Sequence, residues 1–166
     1  QACMTDNDVV VVDRNCHKSI EQGLMLTGAK PVYMVPSRNR YGIIGPIYPQ
    51  EMQPETLQKK ISESPLTKDK AGQKPSYCVV TNCTYDGVCY NAKEAQDLLE
   101  KTSDRLHFDE AWYGYARFNP IYADHYAMRG EPGDHNGPTV FATHSTHKLL
   151  NALSQASYIH VREGRG

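Results

Sequence analysis

The sequence predicts an α/β domain built on a mostly parallel β-sheet. Strand-like and helix-like segments alternate along the chain, which is the pattern of parallel strands joined by helices. Residues 9–12 are consecutive valines, as expected of a strand that is buried on both faces of its sheet. With 166 residues and a mass of 18.7 kDa, the chain is long enough for one domain with a substantial core.

Each predicted element has a local signal in the sequence. Strands are predicted from short apolar or β-branched runs at residues 8–12, 31–35, 77–81, 106–108, 139–142 and 158–161. Helices are predicted at residues 19–26, 54–62 and 92–101. Gly28 is expected to end the first helix, and Pro54 to occupy the first turn of the second. The polar residues 64–75 and the Gly- and Pro-containing residues 123–138 are predicted to be loops.

Composition and charge exclude several classes of protein. Lys and Arg total 18 and Asp and Glu total 19, so the net charge of −1 favours neither nucleic acid nor an anionic membrane as partner. Hydrophobic residues make up 39% and charged residues 22%, which is typical of a globular chain and not of a disordered one. No apolar run is longer than the valine run, whereas a transmembrane helix needs about 20 apolar residues. No signal peptide is visible, and we expect a cytoplasmic protein.

The cysteines do not predict a disulfide framework. The chain has five of them, an odd number, at positions 3, 16, 78, 83 and 89. We expect free thiols in a reducing compartment.

Polar residues follow four of the predicted strands. They occupy residues 13–17, 82–86, 109–113 and 143–148. The carboxyl ends of parallel strands meet at one edge of a sheet, where ligands bind. These segments bring acids, imidazoles, hydroxyls and one lysine to that edge, which is the composition of an enzyme site.

Lys148 and Asp109 are the strongest candidates for chemistry. Lys148 lies between hydroxyl and imidazole residues and the apolar pair Leu149 and Leu150, a setting that favours a neutral, nucleophilic amine. A solvated surface lysine is the ordinary alternative. Asp109 ends a predicted strand and could accept a hydrogen bond from a protonated ring nitrogen, as in pyridoxal phosphate (PLP) enzymes. Its alternative role is to cap the next element.

Histidines supply further candidates. His17 could stack on a flat ring or transfer a proton, and a thiol–imidazole pair with Cys16 is disfavoured because adjacent strand residues face opposite ways. Ser145 and His147 could donate hydrogen bonds to a phosphate. The H-x-x-H spacing of His144 and His147 invites a metal site, but no H-E-x-x-H or C-x-x-C motif accompanies it, and we predict no metal.

Four segments together resemble one family. Residues 143–150 with 154–157, residues 108–113, residues 13–19 and residues 81–87 resemble, in order and spacing, segments of the bacterial inducible ornithine/lysine/arginine decarboxylases. Within this family, Glu110 and residues 113–115 favour the biodegradative, acid-inducible arginine decarboxylase branch.

The resemblance implies a fold and a set of roles. The fold is the aspartate-aminotransferase-like large domain of type I PLP enzymes. Lys148 would hold the cofactor covalently, Asp109 would pair with its ring nitrogen, and His17 would stack on the ring. Contacts with the phosphate would come from Ser145 and His147, and the wall of the cofactor site from Thr84 and Trp112.

The resemblance also implies an activity. The expected reaction is decarboxylation of L-arginine to agmatine, with release of CO2 and uptake of a proton that suits acid resistance. The alternatives are a lysine or ornithine decarboxylase, an aminotransferase or aldolase on the same cofactor, and a catalytically silent scaffold on the same fold.

Finally, the resemblance implies a larger assembly. Residues 1–166 would form part of the PLP-binding core domain, with a wing domain, a phosphate loop and a C-terminal domain outside this segment. The start at Gln1 and the end at Gly166 agree with an internal piece of a longer chain. Family members form homodimers that build a larger homo-oligomer, a decamer, and we expect this piece alone to be inactive.

Overall fold

A six-stranded sheet organises the described part of the chain. The computed structural model describes residues 2–164, apart from the side chain of Pro132, so Gln1, Arg165 and Gly166 lie outside the described residues. The strands lie in the order β2-β1-β3-β4-β5-β6. Their bounds are β1 Val9–Asp13, β2 Lys30–Met34, β3 Tyr77–Thr81, β4 Arg105–Asp109, β5 Thr139–Ser145 and β6 Ser157–Arg162. The first five are parallel and β6 runs antiparallel to β5, so the predicted mostly parallel sheet is confirmed.

In the described residues, four α-helices connect or follow the strands: α1 Lys18–Thr27, α2 Pro54–Glu63, α3 Ala92–Leu99 and the one-turn α4 Thr146–Leu149. His17 caps the start of α1 and its side chain accepts a hydrogen bond from the Ser19 N–H, and Gly28 caps the end with a φ of 72°. Pro54 is the first residue of α2, as predicted. Short 3₁₀ turns occupy Pro49–Met52, Lys68–Lys70, Gly114–Phe118, Pro120–Tyr122 and Pro132–Asp134.

Apolar residues pack on both faces of the sheet. On one face Val10 and Val12 pack with Leu24 of α1. On the other, Val11 belongs to a larger cluster that includes Leu57 of α2 and Leu99 of α3. The valine run is buried throughout, because each face of β1 is covered by a helix.

Strand β5 is longer than its hydropathy predicts. The prediction stops at Ala142, whereas the strand continues to Ser145. The last residues pair with β6, with Thr143 opposite Ile159 and Ser145 opposite Ser157. Backbone pairing with a distant segment thus extends the strand through polar residues, and it places Thr143 and Ser145 on a rigid element.

Neither a disulfide nor a membrane helix is found in the described part of the chain. All five cysteines are free thiols, and burial raises the pKa of Cys78 to about 12. Among residues 2–164, no helix combines the length and the apolar character needed to cross a bilayer.

Candidate active site

A cavity of about 740 Å³ opens at the carboxyl ends of the parallel strands. Its lining includes five residues that the sequence singles out: His17, Asp109, Trp112, Ser145 and Lys148. Further lining residues come from the same strand ends and from β6, among them Asn15, Cys83, Tyr85, His107, Thr143 and Ile159. The fold therefore brings residues distant in sequence to one place, and neither Thr84 nor His147 lines this cavity.

Asp109 is the carboxylate of this cavity. It is the last residue of β4 and lies opposite Thr143 of β5 in the sheet register. Its Oδ1 accepts hydrogen bonds from the Ala111 N–H at 3.2 Å and from Thr143 Oγ1 at 3.4 Å. Within residues 2–164, no protein donor reaches its Oδ2. The carboxylate can therefore accept one more hydrogen bond from a ligand in the cavity.

His17 presents an exposed ring at the start of α1. Its Nδ1 accepts from the Ser19 N–H at 3.2 Å and lies 2.9 Å from Ser19 Oγ. This anchoring fixes the ring and leaves its faces free for stacking. The neighbouring Cys16 is a poor nucleophile, because burial and the charges of Glu21 and Asp13 raise its pKa to about 11.

Lys148 projects into the cavity from the single turn of α4. Its Nζ lies 4.6 Å from the centroid of the Trp112 ring, a cation–π contact. The Trp112 ring in turn meets Tyr85 edge to face, with centroids 5.7 Å apart. The amine is thus held against an aromatic wall and is only partly open to solvent.

The other sequence candidates occupy different settings. Ser145 lines the cavity, and its hydroxyl makes no capping bond to α4. The exposed His147 has its Nδ1 at 3.0 Å and 3.2 Å from the backbone O and N of Ala156. Thr84 is buried and its hydroxyl accepts from the Val88 N–H at 3.1 Å, which closes a turn through Gly87. Their cofactor-contact roles stay predictions.

Glu110, directly after Asp109, is fully buried. Its Oε1 accepts from Asn82 Nδ2 at 2.9 Å and from the Ala127 N–H at 2.7 Å, and its Oε2 lies 3.1 Å from His144 Nε2. The His144 ring also packs on His160, with centroids 4.8 Å apart. We call Asn82, Glu110 and His144 the buried network, and His160 stacks on it from an exposed position. The buried network ties the ends of β3, β4 and β5 together.

The H-x-x-H pair does not form a shared site. His144 contacts Glu110, whereas His147 contacts the backbone of Ala156. Residues 2–164 contain no group of three or more His, Cys, Asp or Glu side chains placed to hold a metal ion.

His107 is a functional candidate that the sequence analysis missed, and Thr143 is named there only as a member of the segment 143–148. Both line the cavity, and His107 Nε2 lies 3.1 Å from Thr143 Oγ1. Burial lowers the pKa of His107, although the charge of Asp109 opposes this shift. The period of two along a strand could have found His107, because it precedes Asp109 by two positions and must share its face.

Comparison with known families places the whole chain. Residues 1–166 match the family named Orn/Lys/Arg decarboxylase, major domain. The chain belongs to this family. Lysine decarboxylase LdcA of Pseudomonas aeruginosa is 52% identical over 157 residues, which cover 95% of this chain and 21% of the relative. The inducible lysine decarboxylase of Escherichia coli K12 is 43% identical, covering 92% and 20%. The constitutive ornithine decarboxylase of Escherichia coli K12 is 36% identical, covering 98% and 23%.

Solved structures agree on the fold. Lysine decarboxylase A from Pseudomonas aeruginosa superposes with a TM-score of 0.87 at 50% identity, covering 97% of this chain and 21% of that one. A PLP-bound Clostridium difficile protein of aminotransferase type superposes with a TM-score of 0.60 at 11% identity, covering 97% and 38%. The predicted fold, the large domain of type I PLP enzymes, is confirmed. The chain spans about a fifth of the length of the curated relatives that it matches.

Proposed function

We propose that the protein is a PLP-dependent decarboxylase of a basic amino acid, with lysine as the favoured substrate. The observation that carries this proposal is the meeting of Lys148, Asp109 and His17 in one cavity at the strand ends. Family membership of the whole chain supports it.

The residues of the cavity fit this cofactor. PLP needs an amine for covalent attachment, an acceptor for its ring N–H, a flat partner for its ring and donors for its phosphate. Lys148 offers the amine, Asp109 an oxygen not used by the protein residues described, and His17 an anchored and exposed ring. The hydroxyl of Ser145 is a donor at the same edge.

The roles of the side chains follow from this arrangement. When bound, PLP supplies a carbonyl for an amine and a ring that accepts the electron pair left by departing CO2. Asp109 Oδ2 would accept the ring N–H and keep the proton on that nitrogen, which maintains the electron demand of the ring. Trp112 confines the amine of Lys148, and the exposed ring of His17 would stack on the cofactor ring. Ser145 would bind the phosphate.

Lysine is favoured over arginine for two reasons. The curated relatives at 52% and 43% identity are lysine decarboxylases, and one at 36% is an ornithine decarboxylase. The sequence features that favour the arginine branch, Glu110 and residues 113–115, do not line the cavity. Glu110 meets the cavity lining through His144 and does not itself face the cavity. The alternative of a lysine or ornithine enzyme is better supported than arginine decarboxylation, and a role in acid resistance has no further support.

The assembly stays a prediction. A homodimer and a larger homo-oligomer follow only from the family resemblance. Light scattering of the full-length protein after size-exclusion chromatography measures the mass directly, and a monomer would contradict the prediction.

Borohydride reduction followed by peptide mapping tests the cofactor assignment. We expect the full-length protein, supplied with PLP, to carry a pyridoxyl group on Lys148. Lys18 also lines the cavity and is the matched control, so Lys18→Ala should keep the label and Lys148→Ala should lose it. Label on Lys18, or none on folded wild-type protein, would contradict the proposal.

Product analysis tests the reaction. Release of CO2 from lysine, ornithine and arginine is measured separately, together with keto-acid formation. We expect CO2 release fastest from lysine. Keto-acid formation without CO2 would indicate an aminotransferase, and binding of PLP with neither product would indicate a silent scaffold.

A further inference from the structure

A chain of hydrogen bonds runs from His107 through Thr143 to Asp109. His107 and Asp109 lie on the same face of β4, and Thr143 lies opposite Asp109 on β5. His107 Nε2 is 3.1 Å from Thr143 Oγ1, which is 3.4 Å from Asp109 Oδ1. We call these three residues the relay.

The direction of the protons in the relay follows from donor and acceptor chemistry. An ionised carboxylate only accepts, so the single hydroxyl proton of Thr143 is donated to Asp109. The Thr143 oxygen then accepts a hydrogen bond from His107, which requires that the imidazole carry its hydrogen on Nε2. A neutral imidazole in this state has a bare Nδ1.

The surroundings of His107 indicate that its imidazole serves the relay. Its ring meets the Tyr77 ring edge to face at 6.0 Å, and it lines an apolar groove with Val79 and Phe141. Placing a polar ring in such a setting costs free energy unless it is hydrogen-bonded. Within residues 2–164, Thr143 is its hydrogen-bond partner. A strand position that would suit an apolar residue therefore holds a hydrogen-bond donor, and this donor contacts Thr143, the residue that bonds Asp109.

We propose that His107 is a positioning residue, which acts through Thr143 to keep Asp109 ionised and to leave its Oδ2 directed to the cavity. This inference rests on the proposed function, in which Asp109 pairs with the ring nitrogen of PLP. Loss of the relay removes one donor from Oδ1 and frees the carboxylate to rotate. Both effects weaken its hold on a ring N–H.

Two pairs of variants in the full-length protein test the relay. Thr143→Val removes the hydroxyl at nearly constant shape, and Thr143→Ser keeps it. His107→Leu removes the donor, and His107→Gln keeps an N–H near the position of Nε2. The readouts are the dissociation constant of PLP and the ¹⁵N signal of its labelled ring nitrogen, which reports whether that nitrogen is protonated.

We expect Thr143→Val to weaken PLP binding about tenfold, because it removes a hydrogen bond to the charged Asp109. His107→Leu acts through Thr143, and we expect it to weaken PLP binding in the same direction by up to about tenfold. Both should shift the ring nitrogen toward its unprotonated signal. Thr143→Ser and His107→Gln should stay within about twofold of wild type. Equal effects of the Val and Ser variants on both readouts would overturn the proposal.

A measurement without cofactor separates the relay from the proposed function. Solid-state ¹⁵N NMR of cofactor-free protein, assigned by difference from His107→Gln, should show the His107 proton on Nε2 and a bare Nδ1. A proton on Nδ1 instead would overturn the relay even if PLP binds. If wild-type protein takes up no PLP, the proposed function fails, and the NMR result still decides whether the relay exists.

Discussion

Asp109 and Glu110 are adjacent carboxylates that differ in burial and in their hydrogen-bond partners. Asp109 has one oxygen bonded to protein donors and the other without a protein donor among the described residues, beside the cavity. Glu110 has no exposed surface, and both of its oxygens have protein partners. Asp109 is the last residue of β4 and Glu110 follows it, so one step along the chain separates a carboxylate for ligands from one for structure. The carboxylate oxygen that has no protein donor among the described residues, and not the charge, therefore distinguishes Asp109 from Glu110.

The buried carboxylate has a structural consequence. Asn82 follows β3, Glu110 follows β4 and His144 lies on β5, so the buried network fixes the spacing of the strand ends. Removing Glu110 takes an acceptor from buried donors, which costs more than the net stability of the bonds themselves. The position of Asp109 in the cavity thus depends on Glu110.

The largest effect is expected from Glu110→Ala. This variant removes the carboxylate that accepts from Asn82 and the Ala127 N–H and contacts His144. We expect the free energy of local unfolding at β4 and β5 to fall by about 3–5 kcal/mol. Hydrogen exchange at the β4 and β5 amides of the full-length protein measures this quantity. Glu110→Gln, which keeps one carbonyl acceptor, should lose only about 1–2 kcal/mol. An Asp109→Ala variant that loses as much as Glu110→Ala would remove the contrast between the two residues.

The next largest effect is expected from Asp109→Asn, and it concerns turnover. The amide keeps an acceptor for the Ala111 N–H but replaces Oδ2 by an NH2 group that cannot accept a ring N–H. We expect kcat for CO2 release to fall at least about a hundredfold, equal to about 2.7 kcal/mol of barrier. Opening of β4 should change by less than about 1 kcal/mol. Full turnover with a destabilised sheet would reverse the assignment of the two carboxylates.

The smallest effect is expected in how the stability of the folded protein depends on pH. It compares His107, on the side of Asp109, with His160, on the side of Glu110. Burial holds the pKa of His107 in the folded protein below its ordinary value of 6.5. The unfolded chain therefore binds more protons as pH falls below 6.5, and stability declines until the lowered pKa is reached. His107→Gln should reduce this decline, measured as the change in urea midpoint between about pH 7.5 and about pH 5.5.

His160→Gln is the control for that experiment. Partial burial and the neighbouring His144 also lower the pKa of His160, which stacks on the buried network and does not belong to the relay. If His160→Gln removes the whole decline and His107→Gln none, the pH dependence belongs to the Glu110 side.

Local signals predicted the elements, and long-range contacts decided most of the rest. The valine run and Gly28 predict their structures because burial on both faces and a positive φ have direct residue signatures. The end of β5 at Ser145 was not predictable from hydropathy, since β6 supplies its pairing. The bond from the Val88 N–H to the Thr84 hydroxyl was likewise not predictable, since it depends on the conformation of the turn, and the cofactor contact of Thr84 stays a prediction.

The site shows the same division. Strand-end logic gathered Asp109, Trp112 and Lys148 correctly, because parallel strands share a carboxyl edge. The burial of Glu110 was not predictable, since a charged residue is ordinarily exposed and its partners come from three separate segments.

The antiparallel return of β6 has a consequence for the evolution of the family. Ser145 pairs with Ser157, and the Thr146 N–H bonds the Ala156 carbonyl at 3.1 Å. These contacts join the two ends of the loop between β5 and β6. Lys148 lies in the first turn of that loop, while residues 151–156 are exposed. Insertions and deletions can accumulate in the exposed part without moving the lysine. Among homologues, we expect loop length to vary there and the number of residues from β5 to the lysine to stay constant.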